Sequence, residues 1–250
     1  MQAVTAKVEW TDVVGAFGPF VAATTALWIA FRATRRERSQ RPKLTVHFDA
    51  SGREDFVMGA RDAEGHERHW VRLRVANAIG RRTAEDVEIL FLDLISHDPA
   101  DAIVRTMPVS GRAFRWTHHE HPDGKPVTKL DIAPGASRHF DLLRLAEPSL
   151  VPATPGRTVA QVGLLLFPPT DPLRYALQAG KYQALIVITA RDTDATYYSI
   201  EVEFDGLWWS TPEVVRHLHI RPVQIDPPLS SRDVVPRVRT RPWHRIQRGA

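Results

Sequence analysis

The densest set of side chains able to do chemistry is His118, His119, Glu120 and His121, in the run THHEHPDG. Neutral imidazoles bind zinc, copper or nickel well. Neighbours in one short peptide rarely converge on a single ion, however, unless ligands such as Asp123 or His139 come in from elsewhere. The run also lacks the i, i+4 helical spacing of His-Glu-x-x-His, and the Pro-Asp-Gly that follows marks a turn. A solvated loop is expected, with His118, His119 and His121 as the ligands if a metal is held. His217 and His219, beside Arg221, form a second and weaker pair.

Other reaction chemistry finds less to build on. No Gly-x-Ser-x-Gly elbow sets up a serine nucleophile, and there is neither a Gly-rich phosphate loop nor a dinucleotide fingerprint. The chain contains 0 cysteines, which removes disulfides, thiolate nucleophiles, Cys-ligated zinc and iron–sulfur clusters. Asp86, Asp93 and Asp205 fall near strand ends, where turns use carboxylates routinely. The expectation is a non-enzymatic protein with no cofactor. The alternative is a membrane-bound hydrolase or metalloprotein that uses the His-rich loop.

Charge offers a different kind of chemistry. The formal net charge of +4 is concentrated just after an early apolar block and at the C-terminus. Local basicity of this kind points first to anionic lipid headgroups. Nucleic acid is the weaker expectation, because the C-terminal arginines are interleaved with proline rather than arranged along a groove or a stacking platform.

The element that would bring those cations to a bilayer is residues 13–31, VVGAFGPFVAATTALWIAF, an uncharged run preceded by a short segment, residues 1–12. Its 19 residues would rise roughly 28 Å as a helix, close to the thickness of a hydrocarbon core. Trp10 and Trp28 lie near its ends, where indole rings favour the membrane interface. Only Thr24 and Thr25 interrupt its apolar character, so the polar face of a soluble amphipathic helix is missing. Arg32, Arg35, Arg36 and Arg38 follow, with Arg41 and Lys43, in a basic linker at residues 32–42 and just beyond. By the positive-inside rule that side faces the cytoplasm and the N-terminus lies outside. A cleaved signal peptide would carry its basic residues before the apolar run, and this chain carries them after it.

Beyond the linker the apolar residues change period. Residues 43–49 and 70–76 alternate, with Arg72 and Arg74 expected on a wet face, while residues 87–95 and 182–190 are apolar on both faces. Residues 113–116, 127–132, 138–143 and 159–167 are further strand candidates. Tyr198, Ile200, Val202 and Phe204 alternate with Ser199, Glu201 and Glu203, which predicts a strand with one buried face. Residues 51–68 read as a loop or irregular hairpin, and a short helix is predicted at residues 212–218. From Arg221 onward proline and arginine dominate, so residues 221–250 read as an extended tail behind a domain at residues 43–220. Strands of this length between Gly, Pro and Asp loops predict a mostly β fold, an antiparallel sandwich of two sheets.

The run RLRVANAIGRRTAEDVEILFLDL resembles the strand–turn–strand of bacterial immunoglobulin-like domains, with Val75, Asn77, Gly80, Ala84 and Val87 at the motif positions and one extra residue between Asn and Gly. LDIAPGASRHFDL resembles the Pro-Gly connection before a middle strand of such domains, and GKYQA the entry to the sixth strand. The resemblance implies an immunoglobulin-like β-sandwich in which Tyr182 is the corner tyrosine and Ala184 stands where many members carry cysteine. Sandwiches of this kind mostly bind other molecules. The expectation is therefore a single-pass protein of the cell membrane, its cytoplasmic sandwich serving as an interaction or sensor module for a protein partner.

Overall fold

A computed structural model describes residues 10–49, 56–61, 65, 67–98, 102–120, 122–146, 161–164, 176–177, 179–207, 213–214 and 217–227, with side chains from Pro19 onward in the helix. The chain divides into two compact units, Met1–Arg41 and Pro42–Ala250.

The first unit is a helix, α1, Trp10–Gln40. It contains the uncharged run, and the basic segment expected as a linker continues it through Arg38 to Gln40. Arginine has good helix propensity, and cations in a last turn complement the helix dipole, so nothing in that segment stops the helix before its end.

The second unit is mostly β. Its strands are β1 Leu44–His47, β2 Val57–Arg61, β3 Glu67–Asn77, β4 Ala84–His97, β5 Ile103–Ala113, β6 Lys129–Ile132, β7 Ser137–Ala146, β8 Gln161–Leu164, β9 Ala176–Leu177, β10 Gly180–Thr189, β11 Thr196–Phe204 and β12 Leu218–Ile225. Two antiparallel sheets result. The first runs β1-β3-β7-β8-β9, with β2 beside β1 on the same strand β3, and the second runs β12-β11-β10-β4-β5, with β6 also on β4. Val71, Leu73 and Val75 of the first sheet and Ile89, Phe91, Ile186 and Ile200 of the second belong to one buried core, an arrangement compatible with a β-sandwich. Each such side chain contributes about 1.5 to 3 kcal/mol by leaving water.

Two polar residues link the sheets. The Tyr198 hydroxyl of β11 receives the Val46 backbone N–H at 3.3 Å and lies 3.4 Å from the Leu44 carbonyl, so the edge strand β1 is tied to the second sheet. Burial pushes the pKa of that phenol up, partly opposed by the Val46 bond. Tyr182, the corner tyrosine that the resemblance implied, is half buried and packs against the rim of the core. Asn77 is buried at the end of β3. Its amide donates to the carbonyls of Arg82 and Ile132, and its Oδ1 accepts from the Lys43 backbone N–H. Gly80 and Gly135, both at positive φ, turn the chain beside it.

The central strands β4 and β10 follow the double-sided apolar pattern, most fully over Ala184, Leu185, Ile186, Val187 and Ile188. The wet faces differ from expectation: Arg72, Ser199 and Glu201 are buried. Residues 212–218 contain helical turns at 213–214 and 217, but Leu218 opens β12, which passes through Arg221 and Pro222 and pairs fully with β11. The ordered sheet therefore continues past the expected start of the tail. Proline is tolerated there because β12 is an edge strand.

Candidate functional site

From Pro19 to Gln40 nearly every residue of α1 is exposed, including Phe20 at 72%, Leu27 at 71% and Trp28 at 53%. The threonines add little polarity, since Thr24 Oγ1 donates to the Phe20 carbonyl at 2.9 Å and Thr25 Oγ1 to that of Val21 at 2.8 Å. Such back-bonding hides the hydroxyls within the helix's own backbone. The Arg32 guanidinium lies 4.1 Å from the centre of the Trp28 ring, one turn back. Arg35, Arg36 and Arg38 are exposed on the next turns, while the side chain of Trp10 lies outside the described residues. Among the described residues no helix is long and apolar enough to cross a membrane. The stretch from Pro19 to Phe31 alone rises about 20 Å against a hydrocarbon core of about 30 Å.

The His-rich loop folds as a polar turn. His118 sits at φ 60 and is exposed, and Glu120 bridges to Pro126 across a turn closed by Asp123 and Lys125. Burial, Arg138 and His118 together push the His119 pKa down, since each disfavours the charged imidazolium. His121 lies outside the described residues. His139 is turned toward Phe56, edge to face at 5.3 Å between ring centres. Among the described residues no group of three or more His, Cys, Asp or Glu could hold a metal ion. His217 pairs with Asp205 at 3.1 Å at the mouth of β12. Trp208, Trp209 and the tail arginines lie outside the described residues.

The most concentrated polar arrangement is on the outer face of the first sheet, where sequence reasoning expected only solvated arginines. Alternation along β3 turns Val71, Leu73 and Val75 to the core, so Arg68, Trp70, Arg72 and Arg74 face outward. On β7 their cross-strand neighbours are Ala146, Arg144, Asp141 and His139 in turn. Asp141 is 2% exposed. Its Oδ1 accepts from Arg72 Nε at 3.1 Å and from Thr117 Oγ1 at 3.0 Å, and its Oδ2 accepts from Arg115 Nε at 2.7 Å. Arg115 and Thr117 reach it because residues 114–117 leave β5 and run beside β7, with Trp116 bridged to Phe140 and turned inward. Arg74 lies over the Phe56 ring at 5.6 Å. The signal for this network was present as arginines at alternate positions in β3 and a lone aspartate in the apolar run of β7, but only the register shows that they meet.

The outer face of the second sheet carries a different buried set. Asp93, Gln183, Ser199 and Glu201 are all buried, and Arg221 Nε and Nη2 both reach Glu201 Oε2 at 2.6 Å. Burial pushes the Asp93 carboxyl above its ordinary pKa, partly offset by the Leu94 N–H bonded to its Oδ1. Asp93 and Ser199 stand on opposite sides of Leu185, so an apolar side chain separates the carboxylate from the hydroxyl. This spacing gives no acid–base pair. No family model, curated protein or solved structure matches the chain.

Proposed function

We propose that this chain is a membrane-tethered, non-enzymatic interaction module, with α1 crossing the bilayer and the β domain presented to a protein partner in the cytoplasm. One observation carries the reading: α1 holds its apolar side chains exposed on every side from Phe20 to Phe31 and then turns abruptly cationic. In water such a belt is unfavourable, whereas in hydrocarbon it costs nothing and its backbone polar groups are satisfied internally. Counted from residue 13, the uncharged run inside α1 has the 19 residues that a bilayer needs. Arg32, Arg35, Arg36 and Arg38 then fall at the interface, on the side where anionic headgroups attract them. Trp28 and Arg32 form an interface pair suited to that depth.

The finer fold reading is an immunoglobulin-like sandwich. It is supported by the strand order, in which β1, β3 and β7 lie together and β4, β10 and β11 form the facing set, and by Asn77 and Gly80 at the motif's turn. Binding is the usual work of such a scaffold, and tethering raises its local concentration at the bilayer so that modest contacts suffice. Fractionation tests the proposal. Full-length protein should sediment with membranes and resist alkaline extraction, and removal of residues 1–38 should release a folded soluble domain. Full-length protein recovered in the soluble fraction without detergent would contradict it.

A further inference from the structure

The turn between β3 and β4 carries the most exposed large apolar side chain of the β domain among the described residues, Ile79 at 88%. Isolated apolar residues are common on surfaces, but this one stands on a backbone pinned from three sides. The Ala78 N–H donates to the Lys43 carbonyl at 3.1 Å, the Asn77 carbonyl accepts from the Gly135 N–H at 2.9 Å, and the Asn77 amide holds the Arg82 carbonyl at 2.8 Å. Gly80 follows Ile79 at φ 74 and closes the turn. A Cβ on Gly135 would lie 3.2 Å from Ile79 Cγ1, so the turn at residues 133–136 abuts this one, with Ala133 and Pro134 exposed on it. Ile79 therefore faces solvent from a fixed platform, and little ordering remains to be done if it meets a partner.

The segments that hold this platform carry cations. Lys43 and Arg82, whose carbonyls the turn binds, are exposed, and so is Arg138 on the strand that leaves the neighbouring turn. The carboxylates nearest to Ile79 in the chain, Glu85 and Asp86, both meet Arg191. An apolar tip among cations fits a surface that offers hydrocarbon beneath phosphates, the headgroup boundary of an anionic bilayer. Nucleic acid would meet the cations but give Ile79 nothing to enter, since an aliphatic side chain is no stacking platform. Chain position points the same way. Residues 41–43 alone separate α1 from β1, a reach of about 10 Å at most, and Lys43 is bonded to the turn itself.

We propose that the β3–β4 turn is a second membrane contact, in which Ile79 enters the headgroup boundary of an anionic leaflet and Lys43, Arg82 and Arg138 meet the lipid phosphates around it. The inference rests on α1 crossing the bilayer, because a contact this small is weak alone and is populated when a short tether raises its local concentration to the millimolar range. The contact turns one end of the β domain to the membrane and the other end away from it. Strand pairing fixes which is which: Ile188 faces Thr196 at the end that holds the turn, and Gly180 faces Phe204 at the other, about 27 Å along the strand. Leu207, just past Phe204, belongs to the far end.

The test uses full-length protein in nanodiscs of phosphatidylcholine, with or without phosphatidylserine, that contain nitroxide-bearing lipid as a quencher. A fluorophore is placed on Ala133→Cys, beside Ile79, or on Leu207→Cys, 51% exposed at the far end. The Ala133→Cys reporter should be quenched far more than the Leu207→Cys reporter, and chiefly in the phosphatidylserine discs. Ile79→Asp, added to Ala133→Cys, should lower the docked-to-free ratio at least about tenfold through the lost apolar transfer and the added like charge. Arg82→Gln should lower it about fivefold, the loss of one cation at an anionic surface. Both residues are exposed, so the β circular dichroism should be unchanged. Protein that does not co-elute with the discs would overturn the membrane tether and this contact together. Protein that co-elutes, but whose two reporters are quenched equally, or whose Ala133→Cys signal is the same in both lipids or indifferent to Ile79→Asp, would overturn the contact and leave the tether standing.

Discussion

The side-chain amide of Asn77 donates to the backbone carbonyl of Ile132 at 3.1 Å, which fastens the end of β3 in one sheet to the end of β6 in the other. The same amide reaches the Arg82 carbonyl at 2.8 Å, and its oxygen holds the chain at Lys43. Asn77→Ala would leave these buried backbone groups unpaired. It should lower the stability of the β domain by about 1 to 3 kcal/mol, read as a shift in the urea midpoint at constant slope.

The buried Asp141 carboxylate makes a sharper prediction. Asp141→Ala leaves Arg72 charged and buried at 6% side-chain exposure without its counter-ion, and should cost about 3 to 5 kcal/mol. The double variant Arg72→Met with Asp141→Leu removes both charges and should recover most of that loss. Denaturant unfolding of the three proteins checks it, and additive losses would show that the pair does not act as a unit.

Asp93 should make stability depend on pH in the opposite sense to a salt-bridged aspartate. Its folded pKa is raised by burial, so the folded protein binds a proton more readily than the unfolded chain. Its contribution is fully present below the unfolded pKa and is lost as pH rises through the folded value. Asp93→Asn keeps an oxygen for the Leu94 N–H and carries no charge. The variant should therefore be more stable than wild type at pH 7, and the gain should shrink as the pH is lowered through the carboxylate range. Thermal melts of both proteins across pH measure this.

Ile186 lies fully buried in β10, beside β4 and β11. Ile186→Ala should destabilise the domain by about 2 to 5 kcal/mol, the cost typical of an emptied core site. A chemical denaturation curve indistinguishable from wild type would place Ile186 outside the core.

Much of the architecture was legible because it is written in period. The double-sided apolar run of β10 and the alternation in β11 and β3 each located a strand to within a few residues. What periodicity could not give was partnership. Arg72, Ser199 and Glu201 sit at positions that alternate with core residues, and any pattern-based reading assigns them to water. Arg72 is buried because β7 supplies Asp141, which Arg115 shares, and Glu201 because β12 supplies Arg221, while Ser199 is covered between Leu185 and Val223 of the neighbouring strands. Strand β12 itself was hidden by Pro222, whose cost depends on whether a strand is at an edge, a property of topology rather than of local sequence. The Asn77 motif was visible as a resemblance, while the reason for it, a side chain joining three chain segments, needed the register.

Because the chain has 0 native cysteines, single cysteines can report the central claim directly in cells that express the full-length protein. A membrane-impermeant maleimide should label Thr5→Cys in intact cells, Ser39→Cys only after the membrane is permeabilised, and Ala26→Cys only after the protein is denatured. That pattern is the one expected of a helix whose middle is in hydrocarbon, with its N-terminus outside and its arginines in the cytoplasm. Labelling of Ala26→Cys as fast as Ser39→Cys in permeabilised cells would show that the middle of α1 is in water, and would contradict the account.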